Sequence, residues 1–133
     1  MKKKILIVSS NYYSDVSNNL EMGAINVLKE KSFDYDIINA PGCFEIPFLI
    51  KSNINNYHAF IALGCIIKGD TYHFEIIANE TAKKIMDLSI HNLVPIGFGV
   101  LTCYNLEQAL VRSDPKQKDK GREAALACIA LLN

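Results

Sequence analysis

The chain has 133 residues, half of them hydrophobic and 21% charged, which excludes a disordered or collagen-like chain. Fourteen Lys and Arg balance fourteen Asp and Glu, so a dedicated nucleic-acid surface or a polybasic membrane anchor is excluded and any basic patch is local. No apolar run approaches the ~20 residues of a transmembrane helix, and the length predicts one domain over residues 1–133.

The start, Met1-Lys2-Lys3-Lys4 followed by Ile5-Leu6-Ile7-Val8, mimics an export signal, but the apolar run stops at Ser9-Ser10-Asn11 and is only long enough for a strand. A helix follows, with Leu20, Ala24, Val27 and Leu28 at i, i+4, i+7 and i+8. Tyr35 to Ala40 and Ala59 to Leu63 read as strands. A second long helix, from about Tyr72 to His91, carries Phe74, Ile77, Ala78, Ala82, Ile85 and Leu88 on one stripe. Val94 to Leu101 is the fourth strand. The last helix, about Asp119 to Leu132, gathers Gly121, Ala124, Ala125, Cys128, Leu131 and Leu132 on one face, with Leu126 and Ile129 off it. Apolar nearly all round, it needs cover on more than one side, from a second subunit or from its own chain. Strands apolar on both faces, alternating with helices, predict an α/β protein. The expected form is three-layer α/β/α and flavodoxin-like, a four-stranded mainly parallel sheet with helices on both faces.

Cys43, Cys65, Cys103 and Cys128 lie far apart with no CxxC spacing. They read as reduced thiols in a cytoplasmic protein rather than a disulfide framework or a zinc site. Ligands of such sheets bind at the carboxyl ends of the strands, which directs attention to the loops beginning at Ser9, Pro41, Gly64 and Thr102. None carries GxGxxG or a Walker lysine motif, and the first lacks the acidic pair of a phospho-receiver.

The richest loop is Lys68-Gly69-Asp70-Thr71-Tyr72-His73. Gly69 lets backbone approach a ligand closely, and Asp70 or Thr71 can cap the following helix, whose amino end favours anions. A plain capped helix start explains Gly-Asp-Thr equally well. His73 falls in the first turn, where the helix dipole disfavours the imidazolium and leaves a neutral ring able to take a proton. His58 and His91 are assigned no role. Tyr12, Phe44 and Phe98, in or beside three strand ends, suit stacking on a flat heterocycle, and core packing is the alternative for each. Glu45 can accept from hydroxyl groups or simply complement a helix dipole. Arg112, Lys116, Lys118, Lys120 and Arg122 form a basic cluster that would complete a phosphate site begun at Gly69 to Thr71, or else a solvated charged loop.

Together these segments resemble the 6,7-dimethyl-8-ribityllumazine synthase family. The likeness is carried by Pro41-Gly42-Cys43-Phe44-Glu45-Ile46-Pro47 and by the run from Leu63 through Lys68-Gly69-Asp70-Thr71-Tyr72-His73 to Phe74. Pro95 to Thr102, Leu106 to Leu110 with Arg112, and Lys120-Gly121 with Glu123-Ala124-Ala125 complete it. The resemblance implies condensation of 5-amino-6-(D-ribitylamino)uracil with 3,4-dihydroxy-2-butanone 4-phosphate, without metal or organic cofactor. It implies that Tyr12 stacks on the pyrimidine and that Cys43, Phe44, Glu45, Cys65, Ile66 and Ile67 hold the ring and ribityl chain. Asp70, Thr71 and Arg112 would meet the phosphate, Phe98 and Lys120 would line the site, and His73 would transfer protons. The resemblance further implies a homo-oligomer, a pentamer or a shell of sixty subunits built from pentamers, with each site shared between neighbours.

The chain departs from the family pattern at Asn11-Tyr12, where Arg-Phe or Arg-Trp is usual, and at Lys68, where arginine is common. Lysine keeps the charge but not the bidentate fork. Cys43 and Cys65 replace small residues. The alternative function is a non-catalytic lumazine- or flavin-binding shell or carrier protein. A flavodoxin-like electron carrier would need a Ser/Thr/Gly-rich loop after the first strand, which Asn11-Tyr12-Tyr13 does not supply.

Overall fold

A computed structural model describes residues 3–132. Met1 and Lys2 of the basic start, and Asn133 at the end of the expected domain, lie outside the described residues. The elements run β1 (Lys4–Ser10), α1 (Ser14–Glu30), β2 (Asp34–Ala40), a 3-10 turn (Cys43–Glu45), α2 (Ile46–Ser52), β3 (Ala59–Ile67), α3 (His73–Asn92), β4 (Ile96–Cys103), α4 (Leu106–Ser113) and α5 (Lys120–Ala130). The sheet order is β2-β1-β3-β4 and every pairing is parallel. All four carboxyl ends therefore point to one side of the molecule.

The two faces of the sheet divide the core. Ile5, Ile7, Ile61 and Leu63 meet Val16, Leu20, Ala24 and Val27 of α1, Ala109 of α4, and Ala124, Ala125 and Cys128 of α5. Leu6, Val8, Phe60 and Ala62 meet Ile46 and Ile50 of α2 and Ile85 of α3. This is the expected three-layer arrangement, with burial of branched side chains on both faces as its main driving force. β2 is the exception: as an edge strand it exposes Asp34, Ile37 and Asn39. At the amino ends of the strands, the Tyr57 hydroxyl donates to Asp36 at 2.7 Å and Lys4 pairs with the same carboxylate at 3.0 Å. His58, given no role from sequence, accepts the Lys4 amide there at 3.0 Å.

Three expectations need correction. β3 does not stop at Leu63; Gly64-Cys65-Ile66-Ile67 remain in the strand because each pairs with β4, as far as Ile67 with Cys103. On α3, Ala82 is exposed and Thr81 takes the buried position, since it falls nearer the centre of the Phe74, Ile77, Ile85 and Leu88 stripe. On α5, Leu131 lies past the helix and is 66% exposed.

The small-residue face of α5 is covered by its own chain, against α1 and β4. The approach is close enough that side chains are excluded. A Cβ at Gly97 would stand 2.1 Å from the Ala124 carbonyl oxygen, and one at Gly121 would stand 2.1 Å from that of Leu20. Both obstacles are backbone and cannot swing aside. Gly97→Ala should therefore destabilise the protein by on the order of 1–3 kcal/mol, as overpacking does. The check is a urea melt, in which the midpoint falls with little change of slope. Gly69→Ala, with nothing within 4 Å of the added methyl, should leave the midpoint where it is.

Candidate active site

Because the strands are parallel, the loops after β1, β2 and β3 converge on a cleft of about 540 Å³. Its walls bring together eight of the residues singled out from sequence: Tyr12, Cys43, Phe44, Glu45, Cys65, Ile66, Ile67 and His73. The floor is the overhang of β3. Pairing with β1 ends at Ser9 with Leu63, whereas pairing with β4 continues to Ile67. Cys65, Ile66 and Ile67 thus present an edge beyond the end of their β1 partner, and that edge borders the cleft.

Tyr12 is 75% exposed and Phe44 55% exposed at the rim, where flat apolar surface is available for stacking. Tyr13 meets Tyr12 edge-on, ring centroids 5.0 Å apart at 80°, and reaches inward to the core. Burial, then the neighbouring Tyr12, Cys65 and Cys43, pushes the Tyr13 phenol up. The Cys43 thiol donates to the Cys65 carbonyl at 3.8 Å, tying the 3-10 turn to the overhang. Burial raises the Cys43 thiol and pushes that of Cys65 up to about 12. Neither is prepared to act as a thiolate nucleophile.

His73 is the first residue of α3 and is exposed on the cleft wall. Its backbone N–H donates to the Thr71 hydroxyl at 3.4 Å, but the capping position is Tyr72 rather than the expected Asp70 or Thr71, and the Tyr72 side chain makes no capping hydrogen bond. Asp70 and Thr71 are exposed on the adjoining loop, outside the cleft walls. Lys68 and Glu75 close that loop with an ion pair at 3.1 Å, and the Lys68 hydrogen bond holds the Glu75 carboxyl below its usual range. Gly69 has ordinary negative φ and open space around it, which leaves its backbone approachable.

Phe98, Arg112 and Lys120 are not brought to this cleft within the chain. Phe98 is no strand-end residue: it lies three residues into β4 opposite Ala62, on the α2 and α3 side of the sheet, 46% exposed. Arg112, half-buried in the last turn of α4, donates to its own helix at the Gln108 carbonyl, 3.4 Å away. The basic cluster is also divided. Lys120 pairs with Glu123 at 3.1 Å within α5, and Arg122 pairs with Glu30 of α1 at 3.4 Å because α5 is packed on α1.

Ser10, Tyr13, Pro41, Gly42 and Ile77 line the cleft without having been singled out. Ser10 had a signal in the chain, a hydroxyl closing an apolar strand; Ile77 had none beyond its place on the α3 stripe. Among the described residues no group of three or more His, Cys, Asp or Glu is arranged to hold a metal, and no helix is long and apolar enough to cross a membrane.

The model of the 6,7-dimethyl-8-ribityllumazine synthase family matches residues 2–133. A protein of that name from Zymomonas mobilis subsp. mobilis is 46% identical over 132 residues, covering 98% of this chain and 94% of the relative. The protein of that name from Novosphingobium aromaticivorans is 47% identical over 131 residues, with 97% and 94% covered. That from Agrobacterium fabrum is 40% identical over 138 residues, with 98% and 93% covered. With a family model spanning nearly the whole chain and relatives matched almost end to end, the chain belongs to the 6,7-dimethyl-8-ribityllumazine synthase family.

Proposed function

We propose that the protein condenses 5-amino-6-(D-ribitylamino)uracil with 3,4-dihydroxy-2-butanone 4-phosphate to give 6,7-dimethyl-8-ribityllumazine, the penultimate step of riboflavin biosynthesis, in the cytoplasm. The observation that carries this reading is the cleft itself, where stacking aromatics at Tyr12 and Phe44 face a histidine at the amino end of α3. The flat pyrimidine lies against Tyr12, and the β3 overhang and Cys43 to Glu45 hold its polar edge and ribityl chain. Gly69 to Thr71, beside His73, take the phosphate of the second substrate at the start of α3. The primary amine attacks the ketone and loses water to give an imine, phosphate leaves, and the ribitylamino nitrogen closes the ring with loss of a second water. His73 moves the protons, and orientation of two substrates supplies most of the acceleration.

Phe98, Arg112 and Lys120 complete the site from a neighbouring copy. Exposed apolar residues at Ile76, Met86 and Ile90 of α3 and at Leu93 just past its end, with Phe98 on the edge strand β4, support a ring of such copies. In this reading five subunits form the ring, and twelve rings close a shell.

Mixing the purified protein with the two substrates and following the lumazine product optically tests the reaction: steady product formation is expected, and binding without turnover would contradict it. His73→Ala should lower kcat by about 10²-fold or more with little change in substrate binding; full activity across neutral pH would remove the proton-transfer role. Arg112→Ala should weaken chiefly the phosphorylated ketone, by about 1.5–3 kcal/mol, and Tyr12→Ala chiefly the pyrimidine, as read from the KM of each substrate. Equal losses for both substrates would deny the separate subsites. Randomly reassembling equal amounts of His73→Ala and Arg112→Ala proteins should restore roughly a quarter of the sites if neighbours share them. No recovery, with reassembly verified by mass, would mean that each copy holds a complete site.

A further inference from the structure

The loop that leads from β3 to α3 is open along its whole length. Every residue from Lys68 to His73 is exposed, and a methyl added at Gly69 would meet nothing within 4 Å. Among the described residues, its side chains make one hydrogen bond and one ion pair: the Thr71 hydroxyl accepts the His73 amide at 3.4 Å, and Lys68 pairs with Glu75 at 3.1 Å.

The ion pair joins the two ends of the loop. Lys68 is the first residue after β3, its own amide donating to the Cys103 carbonyl at 2.9 Å, and Glu75 stands in the first turn of α3. Both ends are anchored. The Lys68 ammonium lies 5.8 Å from the centre of the Phe74 ring, which packs against the core on the α2 and α3 side. One Glu75 oxygen meets Lys68, and the other is shut off from solvent. The Lys68 hydrogen bond, then the Glu75 amide, hold this carboxyl below its usual range, so the pair stays charged at neutral pH.

With side chains 45% and 34% exposed, the pair adds little to folding. Its effect falls on the loop. Gly69, Asp70 and Thr71 lie between two clamped ends with almost nothing else packed on them, so the clamp sets their shape. Recognition of a phosphate by backbone N–H groups depends on where those groups point. We propose that Lys68 and Glu75 are positioning residues for the phosphorylated substrate, acting together to hold Gly69 to Thr71 in the anion-binding shape. This rests on the proposed function and deepens its phosphate subsite. Direct contact of Lys68 with the phosphate would make the opposite demand on Glu75, because a carboxylate that occupies the ammonium and repels the anion would then hinder binding.

The test compares Lys68→Met, Glu75→Gln, the double variant and Lys68→Arg with the unaltered protein. KM for 3,4-dihydroxy-2-butanone 4-phosphate, and the calorimetric Kd of inorganic phosphate, should rise about twofold to fivefold in Lys68→Met and in Glu75→Gln, the range of a half-exposed ion pair. The double variant should be no worse than either single one, and Lys68→Arg should keep the original values because it keeps the charge. KM for the pyrimidine, kcat and the melting temperature should barely move. Glu75→Gln is decisive: unchanged or tighter phosphate binding overturns the clamp. Equal losses for both substrates, or additive losses in the double variant, overturn it as well. Absence of product from the unaltered protein, with phosphate still bound, overturns the reaction alone, and the phosphate Kd of Glu75→Gln still decides the clamp. No phosphate binding by the unaltered protein overturns the clamp together with the phosphate subsite.

Discussion

The site depends on a difference in length between two neighbouring strands. β3 is flanked by β1 and β4, but β1 releases it at Leu63 while β4 holds it to Ile67. Were β1 as long as β4, its backbone would occupy the edge of Cys65 to Ile67 and no cleft would open there. Because it is shorter, the chain turns away at Asn11 and places Tyr12 over the gap. The same overhang receives the Cys43 thiol on its Cys65 carbonyl and delivers the chain, through Lys68 to Tyr72, to the start of α3 where His73 stands. One feature of strand pairing thus brings Tyr12, the edge of Cys65 to Ile67 and His73 to the walls of one cleft.

An overhang bonded on one side only needs its partner held firmly. β4 is an edge strand, and what holds it is α5, brought so close that a Cβ at Gly97 would stand 2.1 Å from the Ala124 carbonyl oxygen and one at Gly99 3.1 Å from the Ala124 Cβ. α5 is in turn set by α1, through Gly121 against the Leu20 carbonyl. Small residues on the far side of the sheet therefore govern the geometry of the cleft. A parallel sheet transmits position well, since its interior is close-packed and yields little to a displaced neighbour.

The order of elements and the three layers were legible because they rest on local periodicity: four apolar strands, a heptad-like stripe on α1, a longer one on α3. The end of β3 was not. Gly64-Cys65-Ile66-Ile67 reads locally as the opening of a loop, and only pairing with β4 makes it strand. Thr81 and Ala82 exchanged places for a similar reason, since a small difference of angle on the helix decides which is covered. Most of the cleft was legible because its residues sit in the loops where an α/β sheet binds ligands. Phe98 was misplaced by judging its neighbourhood from sequence proximity to a strand end, and the basic cluster was read without knowing that Glu30 and Glu123 take up Arg122 and Lys120.

Hydrogen–deuterium exchange of the protein with and without saturating 5-amino-6-(D-ribitylamino)uracil tests the central claim, that the overhang and the loops around it form the pyrimidine site, and it is readable whatever the size of the assembly. Added protection should concentrate in peptides covering residues 10–13, 42–46 and 64–73, with little change along α4. Saturation that leaves those three segments unprotected, or that protects the amino ends of the strands near Lys4 and Tyr57 instead, would contradict the account.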